Sequence, residues 1–291
     1  MPLDQDTVEE NGEKGEMSFL DHLEELRWHL IRSVLAILVF TIIAFFEVKW
    51  IFTNVLLAPA KSTFPTWRAL CKLGQFINNP DLCISDIPLE LQSRSMTGQF
   101  TITIIAAVVI GLVFSFPYIV WEIWRFIKPG LHKRERNNST GIVAVVSGLF
   151  LLGISFGYYV IAPLMVYVMV TYRISDLIVN QFDITSYVST FVTLVLGTGV
   201  LFELPVVIYF LSKFGIVTPA FLRKYRKHSI VVILIIAAII TPPDPISQIV
   251  ITIPLYMLFE ISILISASVE RTRMKREAEE ERMEQEQKSS Q

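Results

Sequence analysis

Long apolar runs, separated by short polar segments, dominate the pattern of the chain. A bilayer core of ~30 Å takes ~20 apolar residues in an α-helix. Runs of this length occur at about 30–52, 98–121, 141–171 and 187–212. Two further runs begin at Ser229 and Ile246, and the sequence TPPDP at Thr241–Pro245 separates them. The pattern therefore predicts an all-α integral membrane protein with six transmembrane helices.

The fifth predicted span is short. Its apolar run from Ser229 covers 12 residues, or ~18 Å at ~1.5 Å per residue. A helix of this length does not cross an unthinned bilayer, so we expect the Thr241–Pro245 turn to lie below the outer membrane surface. Non-helical backbone at that depth is tolerated only against protein or water. The pattern therefore predicts a short fifth helix beside a cavity or a local dent in the membrane.

The distribution of lysine and arginine predicts the orientation, because short loops rich in these residues stay in the cytoplasm. With the N-terminus inside, the short inside segments 122–140 and 213–229 hold five of these residues each. The short outside segment 172–186 holds one. Both termini are therefore predicted to be cytoplasmic, an N-in/C-in arrangement.

Composition agrees with a membrane protein and separates the ends of the chain from its middle. Of the 291 residues, 53% are hydrophobic and 18% are charged, and the mean hydropathy is +0.54. Residues 1–17 are predicted to form a disordered cytoplasmic tail, residues 18–268 the six-helix domain, and residues 269–291 a charged cytoplasmic tail. No cleaved targeting segment is expected, because the N-terminus is acidic and the first span is too long.

A capping box predicts where the first helix begins. Ser18 is followed at the third position by Asp21, so the helix should begin near Phe19. Apolar and polar residues then fall on separate faces of this helix. The apolar stripe is Phe19, Leu23, Leu26 and Leu30, and the polar face is His22, Glu25, His29 and Arg32.

Three acids stand within or beside the later apolar runs, and their roles are open. Glu203 lies in the fourth span, where an ionised carboxylate costs about 2.5–3.5 kcal/mol. It either hydrogen-bonds a polar residue of a neighbouring helix or faces a concavity and binds a polar group of a partner. Glu260 lies in the sixth span. Asp244 either caps the helix that begins near Pro245 or has a functional role in the outside turn.

Enzyme and nucleotide-binding motifs are absent from the sequence or badly placed. The G-x-S-x-G match at Gly153–Gly157 falls inside a span, where small residues serve close helix packing, and no histidine is predicted to reach Ser155. No phosphate-binding loop and no H-E-x-x-H zinc motif occurs. We therefore expect no catalytic residue, cofactor or metal site, and no nucleic-acid partner.

Two carboxylates that are far apart in the sequence are candidates for one cytoplasmic site. Glu25 lies on the first helix, and Glu135 lies between Arg134 and Arg136, whose charges hold it ionised. If this segment folds back beside the first helix, the two acids suit a pair of adjacent guanidinium groups, each forming bidentate hydrogen bonds. We predict that Glu25 and Glu135 converge at the cytoplasmic membrane surface.

Four motifs, in order along the predicted spans, resemble the TatC family, the core subunit of the twin-arginine protein translocase. They are HLEELR at 22–27, FIKPGLHKRER at 126–136, FELPVV at 202–207 and TPPDPISQ at 241–248. The resemblance runs from about Phe19 to about Ser268. It implies a glove-shaped bundle of six helices with a concave face, in which the fifth and the sixth helix are short. It also implies export of folded proteins across the bacterial cytoplasmic (inner) membrane, driven by the proton gradient.

The resemblance implies a receptor site for signal peptides that carry two consecutive arginines. Glu25 and Glu135 would contact the arginine pair on the cytoplasmic side, and Arg27 and Phe126 would support that surface.

Three further residues receive roles from the resemblance. Glu203 would be a buried acid near the docking site of single-span subunits of the TatA/TatB type. Asp244 would be the functional acid of the last outside turn, and Pro59, in the sequence LLAPA, would be structural. Other copies of the chain and the lipid bilayer complete the expected partners.

The first outside loop departs from the family pattern, because it carries an insertion from about Trp67 to Asp86. The insertion contains the two cysteines of the chain, Cys71 and Cys83. They either form a disulfide in an oxidising compartment or remain free thiols.

An ion-coupled secondary transporter, with Glu203 as the coupling acid, is the alternative function. Such transporters usually contain two matching halves with broken helices at equivalent positions. No such repeat is visible in the sequence, so the receptor interpretation is preferred.

Overall fold

The computed structural model of the chain describes residues 19–84, 87–128, 139–175, 177, 180–241 and 244–289 and is mostly helical. The helices are α1 (Phe19–Phe46), α2 (Val48–Ile51), α3 (Pro65–Phe76), α4 (Gly98–Ile127), α5 (Ser139–Phe156), α6 (Ala162–Thr171), α7 (Ile184–Leu201), α8 (Leu204–Lys213), α9 (Pro219–Lys224), α10 (Arg226–Ile240) and α11 (Pro245–Ser289). The predicted all-α membrane class is confirmed.

Among the described residues, five helical stretches are long and apolar enough to cross a membrane. They are Glu24–Phe46, Gly98–Ile127, Gly141–Thr171, Ile184–Lys213 and Pro245–Ser289. The remaining predicted span is α10, whose 15 residues cover ~22 Å of a ~30 Å core. The count of six spans and the N-in/C-in orientation therefore stay predictions.

The sixth predicted span is part of a much longer helix. Expected to be short, α11 has 45 residues, because the charged segment after Ser268 continues the helix beyond its apolar part. Glutamate, lysine and arginine favour helix, so this segment does not break it. The predicted turn before α11 includes Pro242 and Pro243, which lie outside the described residues.

The first helix packs mainly against α4, and His29 of its polar face lies in this interface. As predicted, α1 begins at Phe19. His29 is buried, whereas Leu26 and Leu30 of the apolar stripe are exposed, as suits a face that contacts lipid. The two backbones meet at Gly111, where an added Cβ would lie 2.7 Å from the backbone nitrogen of Thr41.

The buried core lies around α6 and α7, which pack with the wide helical turn at Gly157–Ile161. Close packing here depends on glycine. A Cβ on Gly153 would lie 2.7 Å from the Cβ of Phe202 and 2.9 Å from the Cα of Gly199. Small residues therefore serve helix packing at this point, as the sequence predicts.

The insertion in the first outside loop forms α3, and a disulfide between Cys71 and Cys83 closes it. This is one of the two alternatives that the sequence left open. Trp67 of α3 is buried and donates a hydrogen bond of 2.8 Å from Nε1 to the carbonyl oxygen of Pro59. Pro59 is itself fully buried, which agrees with a structural role.

Two loops on this side are joined by a short parallel pairing of β1 (Leu91–Gln92) with β2 (Phe182–Asp183). Asp183 then caps α7 through the backbone N–H groups of Thr185 and Ser186. It also accepts a hydrogen bond from the Arg94 backbone N–H. These donors, the Arg94 N–H above all, lower the pKa of Asp183.

Candidate functional site

A cluster of polar side chains joins α1 to α4 at the ends that the charge pattern assigns to the cytoplasm. The Nδ1 atom of His29 contacts Oε2 of Glu122 directly. Its Nε2 atom lies 3.8 Å from Oε1 of Glu25, one helical turn earlier. The Tyr118 hydroxyl donates a hydrogen bond of 2.8 Å to the other oxygen of Glu122. The cluster therefore places one imidazole between two carboxylates.

Burial differs sharply between the two acids. Glu122 is 1% exposed and His29 is 6% exposed, whereas the Glu25 side chain is 38% exposed. A neutral imidazole has a single N–H, and both ring nitrogens donate only in the imidazolium form. A carboxylate faces each ring nitrogen, in direct contact on the Nδ1 side and at 3.8 Å on the Nε2 side. Of the two acids in the cluster, Glu25 is the one that a ligand can reach.

The other residues predicted for the cytoplasmic site are only partly brought together. The Phe126 ring meets the His29 ring edge to face, with 6.1 Å between centroids. Arg27 is exposed on α1. Glu135 lies outside the described residues, so its convergence with Glu25 stays a prediction.

The sequence interpretation missed Glu122 and did not assign a role to His29. Two residue spacings in the sequence could have revealed this cluster. Glu25 and His29 are four residues apart, as are Tyr118 and Glu122, so each pair lies on one helix face. An acid near the end of an apolar span needs a partner on another helix, and His29 on the polar face of α1 supplies it.

A second cluster with the same local pattern connects the start of α10 to the middle of the apolar part of α11. The Tyr256 hydroxyl donates a hydrogen bond of 2.9 Å to Glu260, four residues on. Arg226 Nη2 binds the other oxygen of Glu260 at 2.8 Å. These side chains are more exposed, at 47% for Arg226 and 33% for Glu260. Glu260 therefore has an ordinary explanation as a salt-bridge partner.

Glu203 lies at the break between α7 and α8, one residue before α8 begins. Both of its carboxylate oxygens are buried, and neither bonds to a side chain among the described residues, although the Phe150 backbone of α5 lies beside the carboxylate. The bond to a polar side chain of a neighbouring helix that the sequence left open is therefore not formed in the described part of the chain. Pro205 and Val206 line a cavity of ≈ 520 Å³ shared with α5 and α11.

Asp244 caps α11, which is one of its two predicted roles. Its Oδ1 atom accepts a hydrogen bond of 2.7 Å from the Ser247 backbone N–H. The side chain is buried, and Oδ2 has no hydrogen-bond partner among the described residues. Capping therefore accounts for one carboxylate oxygen.

The described residues contain no group of three or more histidine, cysteine, aspartate or glutamate side chains that is suited to hold a metal ion. Ser155 donates its hydroxyl hydrogen bond to the Leu151 carbonyl within α5, at 2.7 Å. A serine held in this way, inside an apolar helix, is not arranged as a nucleophile.

Comparison with known proteins identifies the family of the chain. A family profile described as "Sec-independent protein translocase protein (TatC)" matches residues 21–254. This chain belongs to the TatC family. The TatC protein of Blattabacterium sp. subsp. Periplaneta americana is 43% identical over 256 residues, covering 87% of this chain and 96% of the relative. The TatCy protein of Bacillus subtilis is 36% identical over 266 residues, covering 91% and 94%.

Solved structures agree with the TatC assignment. A crystal structure of the twin-arginine translocase receptor TatC matches with a TM-score of 0.65 and 32% identity, covering 85% of this chain and 99% of that chain. A second crystal structure of this receptor, in DDM, matches with a TM-score of 0.66 and 32% identity, covering 84% and 99%.

Membership of the TatC family decides the class of function. The chain is a multi-pass membrane protein and a non-enzymatic component of the Sec-independent protein translocase. The TatC assignment favours protein transport over the ion-coupled transporter alternative.

Proposed function

We propose that this chain is the receptor and scaffold subunit of a twin-arginine translocase. It binds twin-arginine signal peptides on the cytoplasmic side of the bacterial inner membrane. It then assembles with single-span TatA/TatB-type subunits and with other copies of itself, and the complex exports folded proteins using the proton gradient. Family membership and the similarity to the TatC receptor structures support this proposal.

The accessible Glu25 carboxylate is the observation that carries the receptor role. It lies near the start of α1, beside the buried His29–Glu122 pair. A guanidinium is the cation that binds a carboxylate with two parallel hydrogen bonds. One arginine of the signal therefore binds Glu25.

The second arginine binds Glu135 in this proposal. Glu135 belongs to the basic segment that follows α4, and α4 brings the start of that segment close to α1. Phe126, in contact with His29, forms an apolar wall of the site. Arg27, on the exposed side of α1, supports the same surface.

The apolar part of the signal peptide then enters the membrane domain. An apolar cavity of ≈ 680 Å³ lies between α1, α4, α5 and α7 and offers the required burial. Glu203, whose buried oxygens bond to no side chain among the described residues, is a contact point for a polar group of a single-span subunit. Asp244 and the short α10 define a corner where the bilayer is thinned and the passenger crosses with the help of partners.

The receptor role is tested by the affinity of a fluorescent twin-arginine signal peptide for the purified protein in lipid nanodiscs. Loss of a charge-assisted hydrogen bond costs about 1.5–3 kcal/mol, so Glu25→Gln should weaken binding by roughly ten- to a hundredfold. Glu135→Gln and a peptide with two lysines should weaken it similarly. Glu24→Gln, the neighbouring exposed acid, is the matched control and should bind normally.

Equal affinity of the twin-lysine and twin-arginine peptides for the native chain would overturn the receptor role. Unchanged binding in both Glu25→Gln and Glu135→Gln would remove the two-carboxylate site. Normal export with Glu203→Ala would exclude Glu203 as a partner contact.

A further inference from the structure

The His29 imidazole lies beside two acids, Glu25 and Glu122. In the proposed receptor site, an arginine of the signal peptide requires one of them, Glu25. Glu25 can neutralise either His29 or an incoming arginine, because each requires the same carboxylate. A histidine cation paired with Glu25 would compete with the ligand. The charge state and partner of His29 therefore affect how well the proposed receptor site works.

The geometry separates the two acids clearly. Glu122 contacts the ring directly, whereas Glu25 stands 3.8 Å from the other nitrogen. Glu122 is also the more deeply buried acid, and the Tyr118 hydroxyl fixes its second oxygen. A buried carboxylate interacts more strongly with a cation than an exposed one, because water screens it less.

We propose that Glu122 is a positioning residue that holds the His29 imidazole away from Glu25, so that the Glu25 carboxylate stays available to a signal arginine. This inference rests on the proposed receptor function. It concerns a residue that lies on a different helix from Glu25 and that the signal does not touch.

Removal of the Glu122 charge should change the partner of His29 from Glu122 to Glu25. Among the described residues, the charged and titratable groups that face this cluster are Glu25 and Arg32 on α1 and Tyr118, Glu122 and Arg125 on α4. Arg125 lies over the Trp121 ring. With Glu122 neutral, Glu25 is the acid left to pair with the histidine. His29 then competes with the signal when charged and stops competing when neutral.

The test measures twin-arginine peptide affinity in nanodiscs at about pH 6 and about pH 8, the range in which an imidazole changes charge. Because a partly exposed ion pair is worth up to about 1 kcal/mol, Glu122→Gln should weaken binding roughly fivefold at the lower pH. Affinity should recover at the higher pH. The double variant Glu122→Gln/His29→Gln removes the competitor and should restore native affinity at both pH values.

Matched controls separate this role from a structural one. Glu260→Gln alters the same tyrosine–glutamate–cation pattern between α10 and α11 and should leave affinity and its pH profile unchanged. His228→Gln, an exposed histidine, should do the same. A purely structural role for Glu122 predicts that the double variant binds no better than Glu122→Gln, and that result would overturn the inference.

A second measurement covers the case in which Glu122→Gln does not fold. NMR titration of labelled histidine in the native chain and in Glu25→Gln reports the partner of His29. A His29 midpoint that is the same in both proteins supports pairing with Glu122. A midpoint lowered by about one pH unit or more in Glu25→Gln shows that His29 pairs with Glu25 and overturns the inference. If the native chain does not prefer the twin-arginine peptide over a twin-lysine peptide, the proposed receptor function fails instead.

Discussion

His29 and Glu122 are each nearly inaccessible, and they lie within or at the end of apolar helices. A buried charge is tolerated when a partner neutralises it, and removal of one partner leaves the other without compensation. The Arg226–Glu260 pair has similar chemistry but remains in contact with solvent. Removal of the basic side chain should therefore change the free energy of unfolding by very different amounts in these two pairs.

His29→Ala should lower the free energy of unfolding by about 3–5 kcal/mol, because it strands the Glu122 carboxylate in the interface of α1 and α4. Arg226→Ala should lower it by less than about 1 kcal/mol, since its partner can be hydrated. Denaturant unfolding of both variants in detergent micelles, followed by circular dichroism, provides the comparison. Equal losses would mean that the His29–Glu122 pair is not a buried ion pair in the membrane-embedded protein.

At the scale of helices, run length and proline placement made most of the fold predictable. The capping pattern gave the start of α1 at Phe19, and Pro205 lies in the first turn of α8, directly after the break between α7 and α8. The β1–β2 pairing was not predictable, because two-residue strands have no periodicity to detect. The Glu122 contact was missed for a different reason: it depends on which faces of α1 and α4 meet, and helix spacing alone does not determine this.

Glycine substitutions test the packing of α5 on α7. Gly153→Ala places a methyl group within 3 Å of Phe202 and Gly199, so it should cost about 1–3 kcal/mol of stability. Gly148, in the same helix, has no atom within 4 Å of an added Cβ. Gly148→Ala should be neutral or slightly stabilising, because alanine favours helix. Thermal unfolding of the two variants should differ clearly, and equal midpoints would contradict the close contact.

For the whole molecule, the orientation predicted from charge places the Cys71–Cys83 disulfide on the outside. Cys71 and Cys83 belong to the loop assigned to the outside, and disulfides persist in oxidising compartments. The inside assignment of the termini comes from lysine and arginine counts alone. These two features arise independently, since one is a covalent bond and the other is a pattern of charge.

Single cysteines should report the orientation directly. In intact bacterial cells without an outer barrier, Arg173→Cys should react with a membrane-impermeant maleimide. Ser289→Cys should react only after the membrane is opened, because the N-in/C-in prediction places the end of α11 inside. The native chain, whose cysteines are joined, serves as the unlabelled control. Labelling of Ser289→Cys in intact cells would overturn the N-in/C-in prediction.

The contact at Gly111 and the His29–Glu122 pair together fasten α1 to α4 at two levels. Eleven positions of α4 separate Gly111 from Glu122, which is ~16 Å along the axis. One such contact would still allow the crossing angle of the two helices to change. Two separated contacts oppose both a change of that angle and a shift of one helix along the other. We expect α1 and α4 to tilt as one rigid body. A displacement of their ends near the His29–Glu122 pair would therefore also displace their opposite ends.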